Sequence, residues 1–158
     1  MRLALPVRLA PLVGRFESAA DAIRSPLLLA VRLVWGWGFV QAGAGKLGDL
    51  GRTTAFFDSL GIPAPGVNAA MAAATECIGG VLLIAGLGSR LVAVPLVVTM
   101  LVAYATAHRD SLSSLDAFVV QAPFPFLSTA LAVLAFGPGK FALDALVARP
   151  EATRPASA

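Results

Sequence analysis

The chain has 158 residues, of which 58% are hydrophobic and 13% charged, with a net charge of +3 and a mean hydropathy of +0.82. Soluble domains average about 45–50% apolar and 25% charged residues, so this composition excludes an ordinary soluble globule and points to one integral membrane domain. The basic pI of 9.8 does not argue for nucleic-acid binding, because scattered arginines at helix ends are what membrane orientation requires.

The segment Met1–Arg24 opens the chain. Pro6 and Pro11 break its apolar region and Arg8 and Arg15 interrupt it, so it reads as a basic cytoplasmic segment, residues 1–25, lying on the lipid surface rather than as a signal peptide. Four spans follow, within a domain over residues 26–147. The first is Pro26–Gly45, with Ser25 and Pro26 expected as N-cap and first helical residue. A short helix at the membrane interface is expected in Asp49–Leu60, ended by Gly61-Ile62-Pro63. Val67–Leu87 is the second span, and Leu91–Ala107 the third, near the lower length limit for crossing about 30 Å. The loop Gly88-Ser89-Arg90 between them is short enough to make them antiparallel neighbours. The fourth span starts between Leu115 and Gln121 and stops at Phe136-Gly137-Pro138-Gly139, with Pro123 and Pro125 expected to kink its outer end. Residues 148–158 read as a disordered cytoplasmic tail. The expected fold is thus an all-α, integral membrane four-helix bundle with short interfacial helices.

Positive charge orients it. With both termini cytoplasmic, the inside carries Arg2, Arg8, Arg15, Arg24, Arg90, Lys140, Arg149 and Arg154, and the outside Lys46, Arg52 and Arg109. That bias predicts N-in, C-in topology in the cytoplasmic (inner) membrane of a bacterium or archaeon.

Two charges lie inside the spans, Arg32 and Glu76. A lone charge at bilayer depth costs at least roughly 2.5 kcal/mol, so both should face the bundle interior. Helical spacing puts Arg32, Gly36, Phe39 and Gly43 on one face of span one, and Ala69, Ala73, Glu76, Gly80 and Leu83 on one face of span two. Both faces are rich in small residues that let membrane helices approach closely, with Gly36, Gly43, Gly79 and Gly80 as packing positions. Arg32 lies about 9 Å from the start of span one and Glu76 about 16 Å from the end of span two. The expectation is that they meet as a buried ion pair, which serves either as an orienting structural contact or as a functional group.

Taken together, Arg32, Gly43-Ala44-Gly45-Lys46-Leu47, Phe56–Leu60 with Gly61-Ile62-Pro63-Ala64-Pro65, Glu76-Cys77-Ile78-Gly79-Gly80, Gly86-Leu87-Gly88-Ser89-Arg90, and Phe136-Gly137-Pro138-Gly139-Lys140 with Asp144 resemble the DoxX family. The similarity runs over about Leu27–Leu146. It implies a four-helix membrane protein and, by likeness to the DoxX-like subunit of thiosulfate:quinone oxidoreductase, a subunit or anchor of a redox-linked membrane complex. Many members carry a histidine at the place of Ala42, which this chain lacks.

Other polar residues suggest a ligand. Tyr104 and His108 are four apart on span three, near the outer level of Lys46, Asp116 and Gln121. Such a cluster could bind quinone carbonyls, with an isoprenoid tail among Leu and Phe side chains; the plainer reading is a polar interface belt. Cys77 reads as a small packing residue, and Trp35 and Trp37, in mid-span, as contacts to lipid or a partner. One histidine and one cysteine cannot ligate a bis-histidine haem, an iron–sulfur cluster or a typical zinc ion. Gly43–Leu47 mimics a phosphate loop without its first glycine or its terminal Ser/Thr, leaving Lys46 as a snorkelling anchor. The expected cofactors are therefore none held covalently or by metal ligands, with quinone or lipid as the candidate ligand. The expected partners are membrane lipids and proteins of a membrane complex, or further copies of this chain, and no nucleic acid. A purely structural accessory subunit and a small transporter or proton pathway through Arg32 and Glu76 are the competing readings; a self-contained enzyme is not expected.

Overall fold

The computed structural model describes residues 10–147. Within them the chain is all-helical: α1 (Ala10–Gly48), α2 (Leu50–Ser59), α3 (Pro65–Ala85), α4 (Ser89–Ala105), a 3-10 turn over Arg109–Ser113, α5 (Leu115–Val119), α6 (Pro123–Phe136) and α7 (Leu143–Val147). Two helices are long and apolar enough to cross a membrane, α1 over Phe16–Gly48 and α3; α4 and α6 are shorter apolar helices. At 1.5 Å per residue, the 14 residues of α6 span only about 21 Å.

Helix boundaries correct two expectations. Ser25 and Pro26 do not open a helix, because α1 is already running through the alanine-rich stretch before them and carries Pro26 inside it. The Ser25 hydroxyl instead accepts from the Lys140 N–H. Pro123 and Pro125 do not kink a longer fourth span either. Pro123 starts α6, in the first turn where a missing N–H leaves no bond unmade, and α5 before it is a separate turn capped by the Ser114 hydroxyl. Residues 1–9 and the tail over 148–158 lie outside the described residues.

The helix expected within Asp49–Leu60 forms as α2, with the Asp49 carboxylate accepting from Arg52 N–H at 2.9 Å. At the end of α3, Gly86 takes a left-handed conformation (φ 71°) while its N–H and that of Leu87 return to the Leu82 carbonyl. This closes the helix and turns the chain into α4.

The tightest packing is between α1 and α3. The buried face of α3 is Ala69, Ala73, Glu76, Gly79, Gly80 and Leu83; Arg32, Gly36, Phe39 and Gly43 are buried on α1. A Cβ on Gly43 would lie 2.5 Å from Cys77 N, one on Gly80 2.7 Å from the Gly36 carbonyl oxygen, and one on Gly36 2.7 Å from Ile84. Glycine here is a condition of the contact. Gly79 turns the other way, toward Leu96 of α4. The remaining core joins Phe39 and Leu83 to Leu96, Met100 and Tyr104 of α4 and Leu127, Ala130 and Val133 of α6. Trp35 belongs to this interior more than to any lipid contact: it meets Phe126 edge-on at 5.2 Å, whereas Trp37 is 57% exposed.

Candidate functional site: a cleft floored by an ion pair

The two buried charges do not meet. The antiparallel register sets Gly36 against Gly80 and Ile84, and Gly43 against Ala73 and Cys77. Arg32 is thereby brought opposite the last turn of α3, about 12 Å along that helix from Glu76 at 1.5 Å per residue. Each charge has found a nearer partner.

Arg32 is 1% exposed and makes four hydrogen bonds to backbone carbonyls. Its Nε donates to the Leu83 carbonyl (2.8 Å) and Nη2 to the Ile84 carbonyl (2.9 Å). Its Nη1 donates to the Pro138 and Phe141 carbonyls. The guanidinium thus ties the last-turn carbonyls at the negative end of α3 to the segment after α6. Asp144 completes this end. Its carboxylate accepts from the N–H groups of Gly88 (2.7 Å) and Ser89 (3.0 Å), capping α4 from outside the helix, whose own cap position is a glycine. Burial pushes the Asp144 carboxyl up, but the Ser89 and Gly88 N–H bonds and the Arg32 charge outweigh it and hold the group below the ordinary carboxylate range. Arg24 donates to the Phe136 carbonyl and lies over its ring.

Glu76 is 2% exposed and pairs instead with Lys46, Nζ to Oε2 at 2.5 Å. Lys46 is therefore more than a snorkelling anchor. Its position follows from the same stripe, since Arg32, Gly36, Phe39, Gly43 and Lys46 recur every three or four residues. That periodicity is visible in the sequence and runs one turn beyond Gly43.

This pair sits on a cleft of about 660 Å³, within the range of small-molecule sites. The walls are Phe39 and Ala42 of α1, Phe56, Phe57 and Leu60 of α2, Met71 and Thr75 of α3, Val98 and Met100 of α4, and Phe126 of α6. Oε2 of Glu76 is occupied by Lys46; Oε1 has no protein partner and faces the cleft. Thr99 and Thr106 return their hydroxyls to carbonyls of their own helix, so they add little polarity.

The expected polar cluster is divided. His108 lines the cleft, and its Nδ1 meets Gln121 Oε1 at 2.9 Å. Because the Gln121 amide nitrogen donates to the Ala117 carbonyl, that oxygen must accept and Nδ1 must carry the proton, leaving Nε2 for the cleft. Tyr104 does not line it. Its side chain is 2% exposed, stacks on Phe118 at 4.3 Å and donates its hydroxyl to the Phe118 carbonyl at 2.8 Å. Tyr104 therefore pins α5 to α4 and has no hydrogen left for a ligand.

The family model for DoxX matches residues 27–109, a stretch that includes Arg32, Lys46, Glu76 and His108. The chain belongs to the DoxX family. No curated protein and no solved structure matches it. Family membership and the two apolar helices together indicate a membrane protein. In this DoxX protein, Ala42 lines the cleft near the Lys46–Glu76 pair. Lys46, Glu76 and His108 are the ionisable groups that line it.

Proposed function

We propose that this DoxX protein is a four-span, N-in/C-in subunit or anchor of a redox-linked complex in the bacterial or archaeal cytoplasmic membrane, and that its cleft holds the headgroup of a quinone. The observation that carries this reading is the Lys46–Glu76 pair, its carboxylate buried, on the floor of a largely apolar cleft. Two ions are costly to take out of water and rarely add net stability against an apolar pair. Lys46 satisfies only part of this pair's hydrogen-bonding capacity with protein, which leaves donors and an acceptor for a ligand. Aromatic and aliphatic walls suit a quinone ring and its tail.

Four spans require α4 and α6 to cross beside α1 and α3. Their antiparallel order and the eight-to-three bias of Arg and Lys toward one side support that topology. It places the Arg32–Asp144 end at the cytoplasm and the cleft toward the outside. In this reading the electrons come from a partner protein of the complex. A proton path through Arg32 and Glu76 together loses its geometric basis, because the two side chains bind different partners.

Copurification tests the proposal. The protein is extracted in mild detergent and its bound lipids and partners are identified by mass spectrometry. Quinone retained by the wild type and lost from Ala42→Phe, which fills the cleft, is the expected result. Phospholipid alone in both proteins would leave a structural accessory subunit as the reading.

A further inference from the structure

We infer that the cleft selects the reduced, hydroxyl-bearing form of its ligand: a para-hydroquinone is bound in preference to the corresponding quinone, and Glu76 is the residue that discriminates. This inference rests on the quinone reading of the cleft and adds the redox state to it.

The argument begins with the donors and acceptors left over. Lys46 gives one of its three N–H donors to Glu76 Oε2, so it can still donate to a ligand oxygen. Glu76, ionised in that pair, is an acceptor only, and its free Oε1 faces the cleft. A ligand group lying against both must accept from Lys46 and donate to Glu76. A quinone carbonyl can do the first but not the second, and its oxygen would face a carboxylate oxygen with no hydrogen between them. The hydroxyl of a hydroquinone does both. Hydrogen bonds to a charged acceptor in a buried site are the stronger kind, and a site built to receive a hydroxyl penalises the analogue that lacks it. Asn68 and Thr75 also line the cleft; the Asn68 amide nitrogen donates to the Pro63 carbonyl, and the Thr75 hydroxyl can either donate or accept and so favours neither form. The Thr99 and Thr106 hydroxyls are already turned back on their own helix, and His108 Nε2, with the proton on Nδ1, is a second acceptor.

The route into the cleft fits a membrane-dissolved molecule. Of the residues lining it, Met71 of α3 and Val94, Val98 and Val102 of α4 are 44–62% exposed on the outer surface of the bundle. The cleft thus reaches the apolar flank between α3 and α4, where a lipid-soluble ring can enter sideways with its tail left among the acyl chains.

The test uses the full chain in phosphatidylcholine nanodiscs with three probes: decyl-benzoquinone, its hydroquinone kept reduced under anaerobic conditions, and the hydroquinone dimethyl ether. Binding is followed by quenching of tryptophan fluorescence, to which Trp35 contributes through its contact with the cleft residue Phe126. The hydroquinone should bind at least about 10-fold more tightly than the quinone, as expected for a charge-assisted bond. The dimethyl ether, which keeps the ring but cannot donate, should bind no better than the quinone. In Glu76→Gln, whose amide can donate as well as accept, the preference should shrink to within about 2-fold. Binding of the quinone as tight as or tighter than the hydroquinone by the wild type, or tighter binding of the ether than of the quinone, would overturn the inference while leaving a quinone site in place. Failure of all three probes to bind would overturn the quinone reading itself.

Discussion

Two cations, 14 positions apart on one helix, illustrate opposite uses of charge beside an apolar interior. At Arg32 four backbone carbonyls take up four of the five guanidinium donors, and Gly86 is held so close that a Cβ there would lie 2.5 Å from the arginine Nη2. At Lys46 one carboxylate oxygen takes up one donor, and the other side of the pair is an open cleft. A charge whose bonds are all made to backbone is a fastening between helix ends. A charge pair with bonding capacity to spare, facing a cleft, is a place for a ligand. Counting satisfied donors and acceptors separates the two more cleanly than burial, since Arg32 and Glu76 are equally buried.

The contrast can be broken most forcefully at Arg32. Arg32→Met strands the carbonyls of Ile84, Pro138 and Phe141 and leaves that of Leu83 with only the Gly86 N–H, and should cost about 3–5 kcal/mol, read as loss of thermal stability in detergent. Glu76→Gln should cost far less, because Lys46 is 29% exposed and can turn toward solvent or headgroups. Since the two charges share no partner, their losses should add within about 0.5 kcal/mol. A large positive coupling in the double variant would mean that they form one unit after all.

A smaller effect is expected where α1 meets α3. Gly43→Ala drives a methyl group into the backbone of Ala73 and Cys77 and should cost about 1–3 kcal/mol. Gly45→Ala, two positions on and with nothing within 4 Å, should cost nothing measurable. Equal melting temperatures for the two variants would show that the α1–α3 contact does not set the position of Lys46.

The smallest effect belongs to Asp144. Asp144→Asn weakens the cap on α4 and should lower stability at neutral pH by about 0.5–2 kcal/mol. Its folded pKa lies below the unfolded value. The carboxylate's contribution is therefore complete above the ordinary carboxylate pKa of about 3.9 and is lost as pH falls through the lower, folded value. Melting curves of wild type and variant should converge in acid; a gap that persists or widens there would be inconsistent with this role.

Much of this fold is readable in the sequence because periodicity and hydrophobicity are local properties. The buried stripes of α1 and α3, the packing glycines and α2 with its Asp49 cap all follow from residue spacing. What failed is what depends on axial register between helices. Pairing Arg32 with Glu76 assumed that spans one and two begin and end at common planes, whereas the Gly36–Gly80 and Gly43–Ala73 contacts set the register and move Arg32 to the end of α3. The role of Asp144 was hidden because the residues it caps lie 55 and 56 positions away. Tyr104 and His108 share a helix face, but burial against Phe118 took one of them out of the cleft. Among the residues facing the cleft, Lys46 was legible as a charge and His108 as a candidate; their grouping with Glu76 was not.

The claim that the Lys46–Glu76 cleft is the ligand site is tested most directly by photolabelling the protein in membranes with an azidoquinone and locating the adducts by mass spectrometry. The account predicts adducts on cleft residues such as Met71, Met100 and Phe126, suppressed by excess unlabelled hydroquinone and by Ala42→Phe. Adducts confined to the outward face of α1 around Leu33 and Trp37, unaffected by either, would contradict it.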